Sequence, residues 1–183
     1  MSEDDAHNEL KTISLLIIRH GIAIERDIAA SNSMSDEERP LTAKGKKRLK
    51  AVAAGLRQVV PGVHQVASSP YVRAKETAEI ISDAYGSVPM IETTTLAPGG
   101  DSQALLNWVT EFSDGECVAL VGHEPDLGVF CSWVLSGHDA SFMPLKKGGA
   151  CSVSLEYHPG EQHKAVLRWL MTSKQLRQMS DEK

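Results

Sequence analysis

The chain has 183 residues, 42% of them hydrophobic and 23% charged, with a net charge of −5 at neutral pH. That length and balance suit one globular domain with a sizeable core. They argue against nucleic acid as a main partner, since no pervasive basic surface is implied, and no apolar stretch approaches the roughly eighteen residues that span a bilayer.

Residues 1–10 are acidic and polar, unlike a secretory signal. We read 1–12 as a flexible tail, 13–172 as a single domain and 173–183 as a tail or short helix. Three widely spaced cysteines, Cys117, Cys131 and Cys151, suggest reduced, buried thiols in a cytoplasmic protein. No cysteine begins a C-x5-R signature, and no zinc-type spacing or Walker loop occurs. Nothing in the sequence calls for a metal or a cofactor.

From Ser14 the chain runs through the apolar stretch Leu15-Leu16-Ile17-Ile18, which ends in Arg19-His20-Gly21. Such a run reads as a buried strand, and ligands of open α/β sheets sit beyond the carboxyl ends of strands. Residues 22–40 form a polar surface loop, from which Arg26 could reach back toward His20. Thr42 is placed to cap a helix whose apolar stripe runs through Leu49, Val52, Ala53, Leu56, Val59 and Val60, ended by Pro61-Gly62. The basic cluster Lys44, Lys46, Lys47, Arg48 and Lys50 reads as the solvated face of that helix rather than a recruiting patch.

Residues 63–67 are the next short strand. Ser69 and Pro70 then suit the N-cap and first position of a helix carrying Arg73 in its opening turns. Residues 87–92 are a third strand. Asp101 caps a helix with the stripe Leu105, Trp108, Val109 and Phe112, which accounts for it fully, a catalytic role being the alternative. Residues 117–121 are a second clear buried strand, ending in Gly122-His123-Glu124-Pro125 before a helix at 127–135. Glu124 falls in that helix's first turn, where a carboxylate is favoured anyway and where a proton donor could stand. Residues 150–157 and 165–171 are two strands joined by a turn at 158–161, the antiparallel edge of a mixed sheet.

Arg19 and His20, Arg73, and His123 therefore gather at one edge of a mostly parallel sheet. Two guanidiniums and two imidazoles suit a small phosphorylated anion, because arginine donates paired hydrogen bonds to phosphate. A neutral imidazole could also attack phosphorus.

The strand ending in Arg19-His20-Gly21 resembles the signature of the histidine phosphatase superfamily. Four further stretches are similar to its motifs, in the expected order. They are Arg39-Pro40-Leu41-Thr42-Ala43-Lys44-Gly45, the segment from Ser69-Pro70 through Arg73-Ala74 to Thr77-Ala78, Leu96-Ala97-Pro98-Gly99-Gly100-Asp101, and Gly122-His123-Glu124-Pro125. The compact chain looks most like the SixA-type phosphohistidine phosphatases.

The resemblance implies a three-layer α/β/α sandwich of the phosphoglycerate mutase type. It implies His20 as nucleophile, with Arg19, Arg73 and His123 binding the phosphoryl group and Arg26 as an addition to that set. Glu124, ahead of Asp101, is the candidate proton donor, and neither is needed for a phosphohistidine. The implied activity is a metal-independent phosphatase whose partner is a phosphorylated substrate, foremost a phosphohistidine-bearing protein in signal transduction. The alternatives are a small-molecule phosphomonoesterase or a non-catalytic phosphate-binding module.

Overall fold

The structure is a computed structural model and describes residues 10–158 and 163–180. Its organising strand, β1 (Lys11–Arg19), is buried on both faces. Ile13, Leu15 and Ile17 face one core cluster, Leu16 and Ile18 the other. That split follows from the two-residue period of a strand. Lys11 and Thr12 lie in β1, inside the stretch expected as tail.

The remaining elements follow in order. They are α1 (Arg26–Ser31), α2 (Ala43–Val59), β2 (Gln65–Ser68), α3 (Val72–Ala84), β3 (Met90–Glu92), a short 3-10 turn (Thr94–Leu96), α4 (Ser102–Val109), β4 (Cys117–Gly122), α5 (Asp126–Ser136), β5 (Ala150–Tyr157), β6 (Lys164–Met171) and α6 (Ser173–Ser180). Among the described residues the sheet runs β3-β2-β4-β1-β5-β6. The first four pair in parallel, while β5 runs antiparallel to β1 and β6 antiparallel to β5. One core packs α4 and α5 on the sheet, and the other packs α2, α3 and α6. The fold is thus a three-layer α/β/α sandwich with an antiparallel edge.

Thr42 caps α2 as expected, its side chain accepting from the Gly45 amide. The loop at 22–40 is not wholly irregular, since it contains α1. The expected strand at 87–92 shrinks to β3, because residues 85–88 finish α3. Gly86 and Ser87 take positive φ there, and Ser82 bonds both the Ser87 amide and the Val88 carbonyl. Residues 173–180 form α6, whose Leu176 is fully buried against α2. Residues 159–161 of the expected turn at 158–161 lie outside the described residues. Cys117, Cys131 and Cys151 are buried, free thiols. No helix among the described residues is long and apolar enough to cross a membrane.

Candidate active site

The parallel register puts Arg19 opposite Gly122, and the His20 amide donates to the Gly122 carbonyl at 3.1 Å. The Ser69 amide donates to the Val121 carbonyl at 3.0 Å, so the end of β2 lies beside the end of β4. Three strand ends therefore meet at one edge. His20, Arg73 and His123 are all buried there, at 6%, 3% and 2% exposure. The rings of His20 and His123 stand 5.0 Å apart, Tyr71 stacks edge-on against His123 at 5.1 Å, and the Arg73 guanidinium lies 4.9 Å over the Tyr71 ring.

His20 Nδ1 sits 2.7 Å from the carbonyl of Gly21. A carbonyl can only accept, so Nδ1 carries the proton and Nε2 keeps the lone pair. Burial lowers the His20 pKa, the nearby His123, Arg73 and Arg19 lower it further, and it falls to about 3. His123 is also held down to about 3, by burial and then by Arg73. Its Nε2 meets the Ser69 hydroxyl at 2.8 Å.

Ser69 is consequently not the cap of α3. Its backbone is still paired with β4, so the helix starts three residues later, with Tyr71 in the cap position and no side-chain cap. Thr77, the last residue of the Arg-Ala-x-x-Thr pattern, donates its hydroxyl to the Arg73 carbonyl and accepts the Gly21 amide at 3.1 Å. It ties the first turns of α3 to the backbone that carries His20. A Cβ at Gly21 would lie 2.4 Å from Leu49 Cδ1, so any larger residue there would have to displace the buried Leu49 side chain.

Asp36 holds Arg73. Its Oδ2 accepts from Arg73 Nη2 at 3.0 Å, and its carbonyl accepts from Nη1. The same carboxylate takes Arg39 and Arg26, each at 2.9 Å. Burial pushes this carboxyl up, but the hydrogen bonds from Arg26 and Arg39 and the field of Arg73 outweigh it and hold it at about 2. Arg26 thus stands on Asp36, largely exposed, and reaches the site only through that carboxylate. Arg39, 7% exposed, also donates to the Ile24 carbonyl and so fixes the loop after His20.

Glu124 precedes α5 rather than lying in its first turn, because the helix begins at Asp126. Its Oε1 accepts the Leu145 amide at 2.9 Å, while Arg19 Nη1 donates to the Leu145 carbonyl at 2.8 Å. Burial raises the Glu124 pKa against the pull of Leu145 and Arg19. Asp101 is exposed and caps α4 through the Gln103 and Ala104 amides.

Three buried polar nitrogens have no protein partner among the described residues: Arg19 Nε, Arg73 Nε and His123 Nδ1. The two arginine Nε–H groups are donors, and His123 Nδ1 is one in the tautomer whose Nε2 accepts from the Ser69 hydroxyl; buried polar groups left unpaired are costly. All three belong to side chains that act electrostatically on His20. Phosphate oxygens are suitable acceptors for the arginine donors among them.

A family model of the histidine phosphatase superfamily (branch 1) matches residues 15–97. An uncharacterized protein of Picosynechococcus sp. (strain PCC 7002) is 37% identical over 140 residues, 75% of this chain and 82% of that protein. The chain belongs to the histidine phosphatase superfamily. Solved structures of this superfamily fold are similar over almost the whole chain. The protein histidine phosphatase SixA complexed with tungstate matches with a TM-score of 0.73 at 24% identity, over 89% of this chain and 99% of that one. A phosphoglycerate mutase from Bacillus anthracis str. Sterne matches with a TM-score of 0.66 at 14% identity, over 97% and 100%. These likenesses establish a phosphoglycerate mutase-like fold, and superfamily membership supports a phosphatase.

The sequence pattern points to the four basic residues that the structure gathers at this edge, but not to the side chains that hold them. Asp36, Arg39, Ser69 and Tyr71 act through tertiary contacts. Arg39, Ser69 and Tyr71 lie within motif stretches, Tyr71 at one of their variable positions, and Asp36 lies in none.

Proposed function

We propose that this protein is a metal-independent phosphatase that forms a phosphohistidine on His20 and acts on phosphohistidine carried by a protein. The observation behind this reading is the neutral, Nδ1-protonated His20 beside two unpartnered buried arginine donors, Arg19 Nε and Arg73 Nε, and the unpartnered Nδ1 of His123. His20 Nε2 attacks phosphorus and the bond to the leaving group breaks, its electron pair staying on the leaving group, which takes up a proton. Water then attacks the phosphorus, releasing inorganic phosphate and restoring the His20 lone pair. Arg19, Arg73 and His123 hold the phosphoryl oxygens and stabilise the charge they carry in transfer. Glu124, its pKa raised by burial, is the proton donor where the leaving group needs one.

The substrate class rests on two supports. The fold is similar to that of a protein histidine phosphatase. The longest segment leaving a site strand, residues 20–42, adds only the six-residue α1, so the mouth can admit a side chain presented on a protein. His20→Ala should lower kcat on an aryl phosphate by about a thousandfold or more. Specificity constants for a phosphohistidine carrier protein, a phosphoserine peptide and a sugar phosphate should rank in that order. Undiminished turnover in His20→Ala removes the nucleophile, and inactivation by a chelator removes the metal-free route.

A further inference from the structure

Beside the phosphate site lies a second cavity, of about 340 Å³. Five cations line it: Arg48 from α2, Lys146 and Lys147 from the loop before β5, and Lys174 and Arg177 from α6. None of the described residues lining it is acidic, although acidic residues outnumber basic ones in the chain by 24 to 19. Glu25 stands 3.9 Å from Lys147, a long contact at the surface. Gathering like charges costs repulsion that a carboxylate or a bound anion relieves. The first turn of α6, at Ser173 and Lys174, adds the partial positive charge of a helix start.

The cavity and the phosphate site share backbone. Gly21 lines the cavity and directly follows His20. Gly148 also lines it, and its amide donates to the carbonyls of both Arg19 and His20, each at 3.1 Å. Lys146 follows Leu145, the residue that both Arg19 and Glu124 grip. The side chains differ, however: Arg19, His20, Arg73 and His123 do not line this cavity.

We propose that this cavity is a second anion site, for a small organic molecule bearing two or more phosphate groups, of the nucleoside diphosphate class. Its volume falls within the ~300–1,000 Å³ of small-molecule sites and exceeds what one phosphate needs. Ile22 and Leu49 share its wall and offer apolar surface to the organic part. A diphosphate brings roughly two to three negative charges to the cations.

The test is calorimetric titration of the full chain with ADP, with and without saturating vanadate. ADP should bind in both cases, and AMP more weakly. Lys147→Glu combined with Lys174→Glu should weaken ADP binding by about tenfold or more, with the circular dichroism of the wild type. Should that double variant not fold, Lys147→Gln with Lys174→Gln should show a smaller loss in the same direction. Absence of binding, displacement of ADP by vanadate, or unchanged affinity in a folded variant each overturn the proposal. Vanadate that fails to inhibit aryl phosphate turnover would count against the His20 mechanism instead, and the variant titrations would still decide the cavity.

Discussion

His20 and His123 face each other with ring centroids 5.0 Å apart and planes tilted by 53°. Burial and the surrounding arginines hold both imidazoles at pKa values of about 3. Neither therefore carries a charge near pH 7, and the positive charge of the site rests on Arg19 and Arg73. A nucleophile needs its lone pair free, and this environment keeps it free.

The same shift links stability to pH. An unfolded histidine titrates near 6.5. Between that value and about 3 the unfolded chain binds more protons than the folded one. The histidines' contribution is complete above about pH 6.5 and is lost as the pH falls toward the folded pKa. The loss is on the order of 2 kcal/mol per histidine at pH 5. Urea unfolding across pH 7.5 to 5 should show it, and His123→Asn should flatten the slope by about half. A wild-type protein equally stable at both ends contradicts the neutral pair.

Asp36→Asn removes the carboxylate that holds Arg73, Arg39 and Arg26 together. Arg73 would keep the Asp36 carbonyl as a partner but lose its charged one. Specificity constants on an aryl phosphate should drop by about tenfold to a hundredfold, with KM rising more than kcat falls. Fold, read by circular dichroism, should persist. Unchanged kinetics would mean that Asp36 does not position Arg73.

Glu124→Gln retains a carbonyl oxygen to accept the Leu145 amide but cannot deliver an acidic proton. As proton donor, Glu124 should matter more for poor leaving groups. An alkyl phosphate should lose about tenfold or more in kcat, while p-nitrophenyl phosphate loses less than about threefold. Equal losses on both substrates would leave Glu124 only the task of bracing Leu145.

Gly55→Ala tests the seat of α6. Alanine normally gains up to about 1 kcal/mol over glycine inside a helix. Here a Cβ would lie 1.8 Å from the Leu176 carbonyl oxygen, which is backbone and cannot turn aside. The substitution should instead cost about 1–3 kcal/mol in urea unfolding. A stabilised variant would show that α6 does not sit tightly on α2.

The strand ends that carry Arg19, His20 and His123 were readable because apolar runs stop abruptly there, and the parallel order of β2, β4 and β1 puts such stops on one edge. Arg73 was readable from its place near the start of a helix after a strand. Asp36 was not, since a loop aspartate has no pattern of its own and gains meaning only where three arginines meet it. Ser69 departs from the expected cap for a related reason. Ser-Pro ahead of a helix is a local signal, and pairing of its backbone with β4 is a contact 52 residues away (121 − 69). Arg26 and Glu124 show the same limit: sequence placed them near the site, and tertiary partners decided what each one grips.

The pairing of β1 with β4 joins residues more than a hundred positions apart, since His20 is held by the carbonyl of Gly122. Gly149 then accepts the Arg19 amide from still further along the chain. A nascent or truncated polypeptide ending before these residues holds Arg19 and His20 but no pocket around them. Its His20 would be an ordinary solvated imidazole, without the burial and the arginine neighbours that lower its pKa in the folded chain. The enclosure that holds the His20 imidazole neutral is therefore a late product of assembly, complete only once the chain has reached Gly149 and folded.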